Sequence, residues 1–131
     1  MRRIVLLAIA SALLVATAAY AHHSYGANYD VTKEFKLQGK LVQFVFRNPH
    51  AFVQIEAPDP DGKMQRWSIE WSGTTQLGAA GITHESLRVG DEIIVVARPS
   101  RVAGEYRGLM VTLKRPIDGF TWGTREGERV D

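Results

Sequence analysis

The sequence predicts an all-β domain, a small five-stranded Greek-key barrel with one short helix between its third and fourth strands. Three observations point there: short apolar–polar alternations closed by Gly, Pro, Asn and Asp turns, one glycine-containing stretch longer than an ordinary strand, and one brief segment in which alternation is lost. The long stretch is 35–46 (FKLQGKLVQFVF), and Gly39 stands where a strand that must pair on both sides would bend or bulge. Asn48-Pro49 ends it. Residues 51–57 (AFVQIEA) alternate as a second strand, the run Pro58-Asp59-Pro60-Asp61-Gly62 is a turn by composition, and residues 65–71 (QRWSIEW) complete a hairpin. Residues 74–80 (TTQLGAA) suit one or two helical turns, capped by Thr74 or Ser72 and stopped by Gly81, with a further turn over residues 83–87. Val89-Gly90-Asp91 then launches residues 92–98 (EIIVVAR), and residues 106–114 form the last clear strand after a loop at residues 99–105. Three strands, a helix and two strands is the order of an OB-like barrel; another small barrel or an open β-sandwich is the alternative.

The first 21 residues read as a secretory signal peptide. Arg2 and Arg3 supply the basic start, residues 4–16 the apolar stretch, and Ala19-Tyr20-Ala21 the small-x-small cleavage signal. The apolar run is shorter than the ~20 residues needed to span a bilayer, and the absence of cysteine excludes a lipid-anchored lipoprotein. The expected organisation is a leader over 1–21, an N-terminal segment over 22–33, the barrel over 34–123 and a polar tail over 124–131, in a periplasmic or secreted protein. The leader holds two of the 16 Lys and Arg residues, so the mature chain carries 14 basic residues against 14 acidic ones. A neutral domain lacks the bulk attraction that phosphate-contacting proteins use, which argues against a nucleic-acid partner. With no cysteine there are also no disulfides, thiolate metal sites or thiol catalysis.

Several short motifs recur together: Ala21-His22-His23-Ser24 at the cleavage junction, Tyr29-Asp30, Arg47-Asn48-Pro49-His50-Ala51, Trp67-x-x-Glu70 and Leu87-x-x-Gly90-Asp91. In this order and spacing they resemble a family of small exported bacterial proteins known only as a domain of unknown function, over nearly the whole mature chain. The resemblance implies export and a small β-barrel. It implies no reaction.

Cleavage after Ala21 would leave His22 with a free α-amine, and one N-terminal histidine can chelate a metal ion through that amine and its ring. His50, in the loop between the first two strands, would supply a further nitrogen, with His23 and the carboxylate of Asp30 or Glu70 as additional donors. A nitrogen-rich, thiolate-free set favours Cu(II), with Zn(II) and Ni(II) as the alternatives. The competing expectation is that His22 and His23 form a loose tail and that His50 only hydrogen-bonds its own turn. His84 reads as a solvated residue.

The second candidate is aromatic. Alternation puts Trp67, Ile69 and Trp71 on one face of the third strand and Ser68 and Glu70 on the other. If the tryptophan row is exposed, Trp67, Trp71, Arg66 and Glu70 are candidates for a non-catalytic groove that binds an envelope peptide, saccharide or protein. If it is core, it simply fills the barrel. No Ser-His-Asp order, paired-carboxylate signature or phosphate-binding glycine loop appears in its required context, so the expectation is a binding module and not an enzyme.

Overall fold

The computed structural model of the protein describes residues 25–123 together with Met1. The rest of the expected leader, His22, His23 and the tail at 124–131 lie outside the described residues. The chain forms β1 (Phe35–Val45), β2 (Phe52–Pro58), β3 (Met64–Glu70), the short helix α1 (Thr74–Ala79), β4 (Glu92–Pro99), β5 (Arg107–Arg115) and β6 (Phe120–Trp122). Strand order is β3-β2-β1-β4-β5-β6, and a parallel pairing of β3 with β5, from Ser68 opposite Arg107 to Glu70 opposite Leu109, closes the first five strands into a barrel. This is the OB-type topology that the sequence predicts.

Closure depends on β1. Its first half, Phe35 to Lys40, pairs with β4, and its second half, Lys40 to Val45, pairs with β2, so Lys40 lies opposite both Glu92 and Glu56. Gly39 sits at this switch for a steric reason: a Cβ there would lie 2.1 Å from the Glu56 carbonyl oxygen and 2.9 Å from the Ala57 Cβ. Only glycine allows the two strands to cross so closely. The bulge itself falls just beyond, between Leu41 and Gln43.

The inward faces of the strands supply the core, in which Leu41, Val53, Ile55, Ile69, Trp71 and Leu113 are nearly inaccessible to water. Leu77 on α1 plugs one end of the barrel, and the chain leaves that helix through Gly81 at φ +78°, a left-handed position that ends the helix as expected. Three features depart from the sequence reading. The helix cap is neither Thr74 nor Ser72: the N-cap residue is Gly73 and makes no side-chain cap, while the backbone N–H of Thr74 donates to Oδ1 of Asn48 at 2.9 Å. Residues 83–87 form turns and no helix. Finally, β6 was not expected; this three-residue strand lies against Leu113–Arg115, and Trp122 packs edge-on to Trp71 with ring centroids 5.1 Å apart.

Candidate functional site

The β2–β3 register dictates a meeting that neither motif announces alone. Phe52 lies opposite Glu70, and residues two apart on a strand share a face, so His50 projects from the same face as Glu70, one diagonal step away. The ladder continues past both strand ends, with Trp71 N–H donating to the Ala51 carbonyl at 2.8 Å and Ala51 N–H to the Ser72 carbonyl at 3.1 Å. This fixes the backbone on which His50 is mounted. The loop before it, with Asn48–Pro49 in the cis form, is clamped against the start of α1. A Cβ on Gly73 would lie 2.5 Å from the Pro49 carbonyl oxygen and 2.8 Å from Asn48 Oδ1, so the approach depends on glycine at position 73.

Glu70 points away from the barrel core, yet only 8% of it is exposed. The residues immediately before the barrel cover it. Residues 25–28 make one helical turn, and Tyr29 bridges to Ser100. Asp30 N–H donates to the Pro99 carbonyl at 2.9 Å, Arg101 N–H to the Asn28 carbonyl at 2.9 Å, and Arg101 Nε to the Gly26 carbonyl at 2.7 Å. These bonds lay the N-terminal segment along the start of the β4–β5 loop and deliver two tyrosines to the site.

The result is a continuous chain of four side chains. The Tyr25 hydroxyl lies 2.7 Å from His50 Nε2, His50 Nδ1 lies 2.6 Å from Glu70 Oε1, and the Tyr29 hydroxyl donates to Glu70 Oε2 in a short bond. As a carboxylate, Glu70 can only accept, so a neutral His50 carries its proton on Nδ1 and turns the Nε2 lone pair toward Tyr25. Tyr29 is fully buried, and its hydroxyl is held well above the ordinary phenol range, first by burial and then by its bond to Glu70, partly offset by Arg107. The Tyr25 hydroxyl is also raised, by burial and then by the charge of Glu70. Both phenols are therefore held as proton donors. Chemically, the arrangement orients one imidazole and presents its outer nitrogen to the N-terminal segment.

The structure thus brings together His50 and Glu70 from the expected site residues and adds Tyr25 and Tyr29, which the sequence reading did not single out as donors. Asp30 does not join them. Its Oδ1 accepts from the Thr32 hydroxyl at 2.6 Å and the Thr32 backbone N–H at 3.1 Å, and its Oδ2 lies 3.3 Å from Lys33 Nζ. These partners, the Thr32 hydroxyl foremost, pull its carboxyl down to about 2, and they engage Asp30 in its own turn, apart from His50 and Glu70. Among the described residues no group of three or more His, Cys, Asp or Glu is placed to hold a metal ion, so His50 and Glu70 stand as a pair. His22 and His23 fall outside the described residues. His84 is exposed and faces Glu85 at 3.7 Å.

Of the two alternatives for the tryptophan row, the structure shows the core, so Trp67 and Trp71 do not form an exposed groove. Trp71 is 1% exposed and packs against Phe44 and Trp122; Trp67 is 8% exposed, lies between Phe35 and Tyr106, and donates its indole N–H to the Ala57 carbonyl at 3.2 Å. A barrel this small needs both rings as filling. Arg66 lies on the outer surface opposite Glu56, at 3.7 Å, and shares no groove with them. An open groove of about 430 Å³ does exist at the other end of β3, between the turn at Pro58–Pro60 and the loop at 99–107, with Phe35, Leu37 and the edge of Trp67 among its lining.

No functionally curated protein matches the chain. Among solved structures, two crystal forms of Rim1, the mitochondrial single-stranded DNA binding protein of S. cerevisiae, are similar at 17% and 14% identity. Each match covers 63% of this chain and 91% of Rim1, with TM-scores of 0.45 and 0.48. Residues 10–110 match the profile of a family of unknown function, DUF6152, and this span takes in Tyr25, Tyr29, His50 and Glu70. The chain belongs to that family.

Proposed function

We propose that this protein is an exported, non-catalytic binding module that takes a divalent ion of the Cu(II) type through His50 and the mature N-terminus at His22, for metal carriage or sensing. One observation carries the reading: His50 Nδ1 is held by the Glu70 carboxylate at 2.6 Å, and its Nε2 faces the N-terminal segment. A carboxylate on one imidazole nitrogen is the usual support for a histidine whose other nitrogen binds metal, because it fixes ring orientation and tautomer and raises basicity. Three residues carry the chain from Tyr25 back to His22, a span of at most about 11 Å, so the amine and ring of His22 are within chain reach of His50 Nε2. His23 is a further nitrogen donor in this reading, and Glu70 acts behind His50 rather than on the ion. Zn(II) is the alternative metal, since imidazoles suit it as well.

Calorimetric titration of Cu(II) and Zn(II) into protein beginning at His22, beside protein carrying one extra N-terminal residue, tests the reading. The extra residue removes the amine from chelation with the His22 ring. Affinity at least tenfold weaker for the extended form is expected, and equal affinities would reject the N-terminal chelate.

A second reading rests on the groove floored by Phe35 and Trp67, which has the apolar lining of a peptide or protein contact. It makes the protein an envelope interaction domain without a metal, and predicts that a charge placed on the exposed groove wall by Val102→Asp changes partner capture while leaving Cu(II) affinity alone.

A further inference from the structure

We infer that Tyr25 is a latch on the site: its hydroxyl occupies the Nε2 lone pair of His50, and a metal ion must displace it to bind there. The inference rests on the metal-site reading for its function but on geometry for its existence.

An imidazole nitrogen has a single lone pair in the ring plane. At 2.7 Å the Tyr25 hydroxyl is within hydrogen-bond distance of Nε2, and the opposite nitrogen is already committed to Glu70 at 2.6 Å. No free nitrogen remains on the ring. The Tyr25 ring also lies beside the imidazole, with centroids 5.1 Å apart and planes inclined by 36°. The His50 side chain is 32% exposed, so solvent reaches the ring, but its basic atom is spoken for.

The latch can open at the Tyr25 side chain alone. The backbone of residues 25–28 is tied to the barrel through Gly26, Asn28 and the Tyr29–Ser100 bridge, whereas Tyr25 meets it through its ring and hydroxyl on His50. Rotation of the Tyr25 side chain frees Nε2 without breaking the Tyr29–Glu70 bond that holds the carboxylate behind His50. The device therefore divides the two tyrosines: Tyr29 positions Glu70 permanently, and Tyr25 competes with the ion.

The test is acylation of His50 by diethylpyrocarbonate without added metal, followed by peptide mass mapping, in wild-type protein and Tyr25→Phe. Phenylalanine keeps a ring beside the imidazole and removes only the hydroxyl. Loss of one neutral hydrogen bond is expected to raise the His50 acylation rate roughly three- to tenfold, while exposed His84 keeps its rate and calibrates the reagent, and an unchanged circular dichroism spectrum reports an intact fold. Equal His50 rates would overturn the latch. The same variant, processed to begin at His22, is expected to bind Cu(II) tighter by a similar factor; weaker binding would also overturn the latch, because it would make Tyr25 a donor in the complex. If His50 acylation accelerates but wild-type protein takes up no Cu(II) or Zn(II), the latch stands and the metal-site reading fails.

Discussion

Replacing Glu70 by glutamine tests whether the buried carboxylate holds the site together. The side chain is 11% exposed and accepts from two donors, His50 Nδ1 at 2.6 Å and the Tyr29 hydroxyl. Glutamine keeps the shape and one acceptor oxygen but loses the charge. It also turns an NH₂ toward one of the two donors, which must reverse its proton to stay bonded. A hydrogen bond to a charged group is worth about 1.5–3 kcal/mol and a neutral one about 0.5–1.5, so two bonds weakened by about 1 kcal/mol each give a loss near 2 kcal/mol. For a domain of this size that is a fall in Tm on the order of 10 °C, measurable by differential scanning calorimetry at pH 7. Tyr29→Phe in the Glu70→Gln background should then cost less than it does alone, because the two residues share a bond. A Glu70→Gln protein that melts within about 2 °C of wild type would refute the reasoning, since the carboxylate would then be dispensable to the network that covers it.

Other expectations follow from single contacts. Gly73→Ala forces a Cβ to within 2.5 Å of the Pro49 carbonyl, so the loop carrying His50 must move; a loss of about 1–3 kcal/mol in urea unfolding and a shifted His50 ring resonance are expected. Tyr29 is raised in the folded state, so the native protein holds its proton where the unfolded chain, at about 10, loses it. Stability should decline as pH rises above about 10, and the decline should be shallower in Tyr29→Phe, as read by urea melts at pH 9 and 11. Asp30 is lowered to about 2 in the folded state, so its contribution is present above its unfolded value of 3.8 and lost as pH falls from there toward 2; Asp30→Asn should flatten that part of the acid limb. Glu70→Gln, processed to begin at His22, should bind Cu(II) about ten- to a hundredfold more weakly than wild type, as expected when the support behind a ligand histidine is lost.

The barrel was legible because its signals are local. Alternation in 51–57 and 65–71 and the Pro58–Gly62 turn each carry their structural consequence within a few residues. β6 was not, since three residues with no alternation to display are strand only because β5 offers an edge at Leu113–Arg115. The helix cap was misplaced for a related reason: the capping oxygen belongs to Asn48, 26 residues before the amide it serves. At the site, His50 and Glu70 are both legible as candidates, but with Glu70 as a ligand to the ion or a groove residue and not as the support behind His50. What joins them is the Phe52–Glu70 register, which a strand pattern does not number. Alternation correctly puts Glu70 on the outer face, away from the tryptophans, but the cover over that face comes from residues 25–30, which carry no strand or helix periodicity long enough to read. The same segment explains Asp30, whose partner Thr32 is only two residues away and satisfies it locally.

The central claim is that the mature N-terminus and His50 share one ion, and the most direct measurement is electron paramagnetic resonance of Cu(II) bound at one equivalent to protein beginning at His22. Nitrogen hyperfine structure from at least three donors is expected. It should fall by one donor in His50→Ala and change again when a single residue is added before His22. A spectrum unaltered by His50→Ala would contradict the account, because the ion would then sit on the N-terminus alone and the barrel would have no part in holding it.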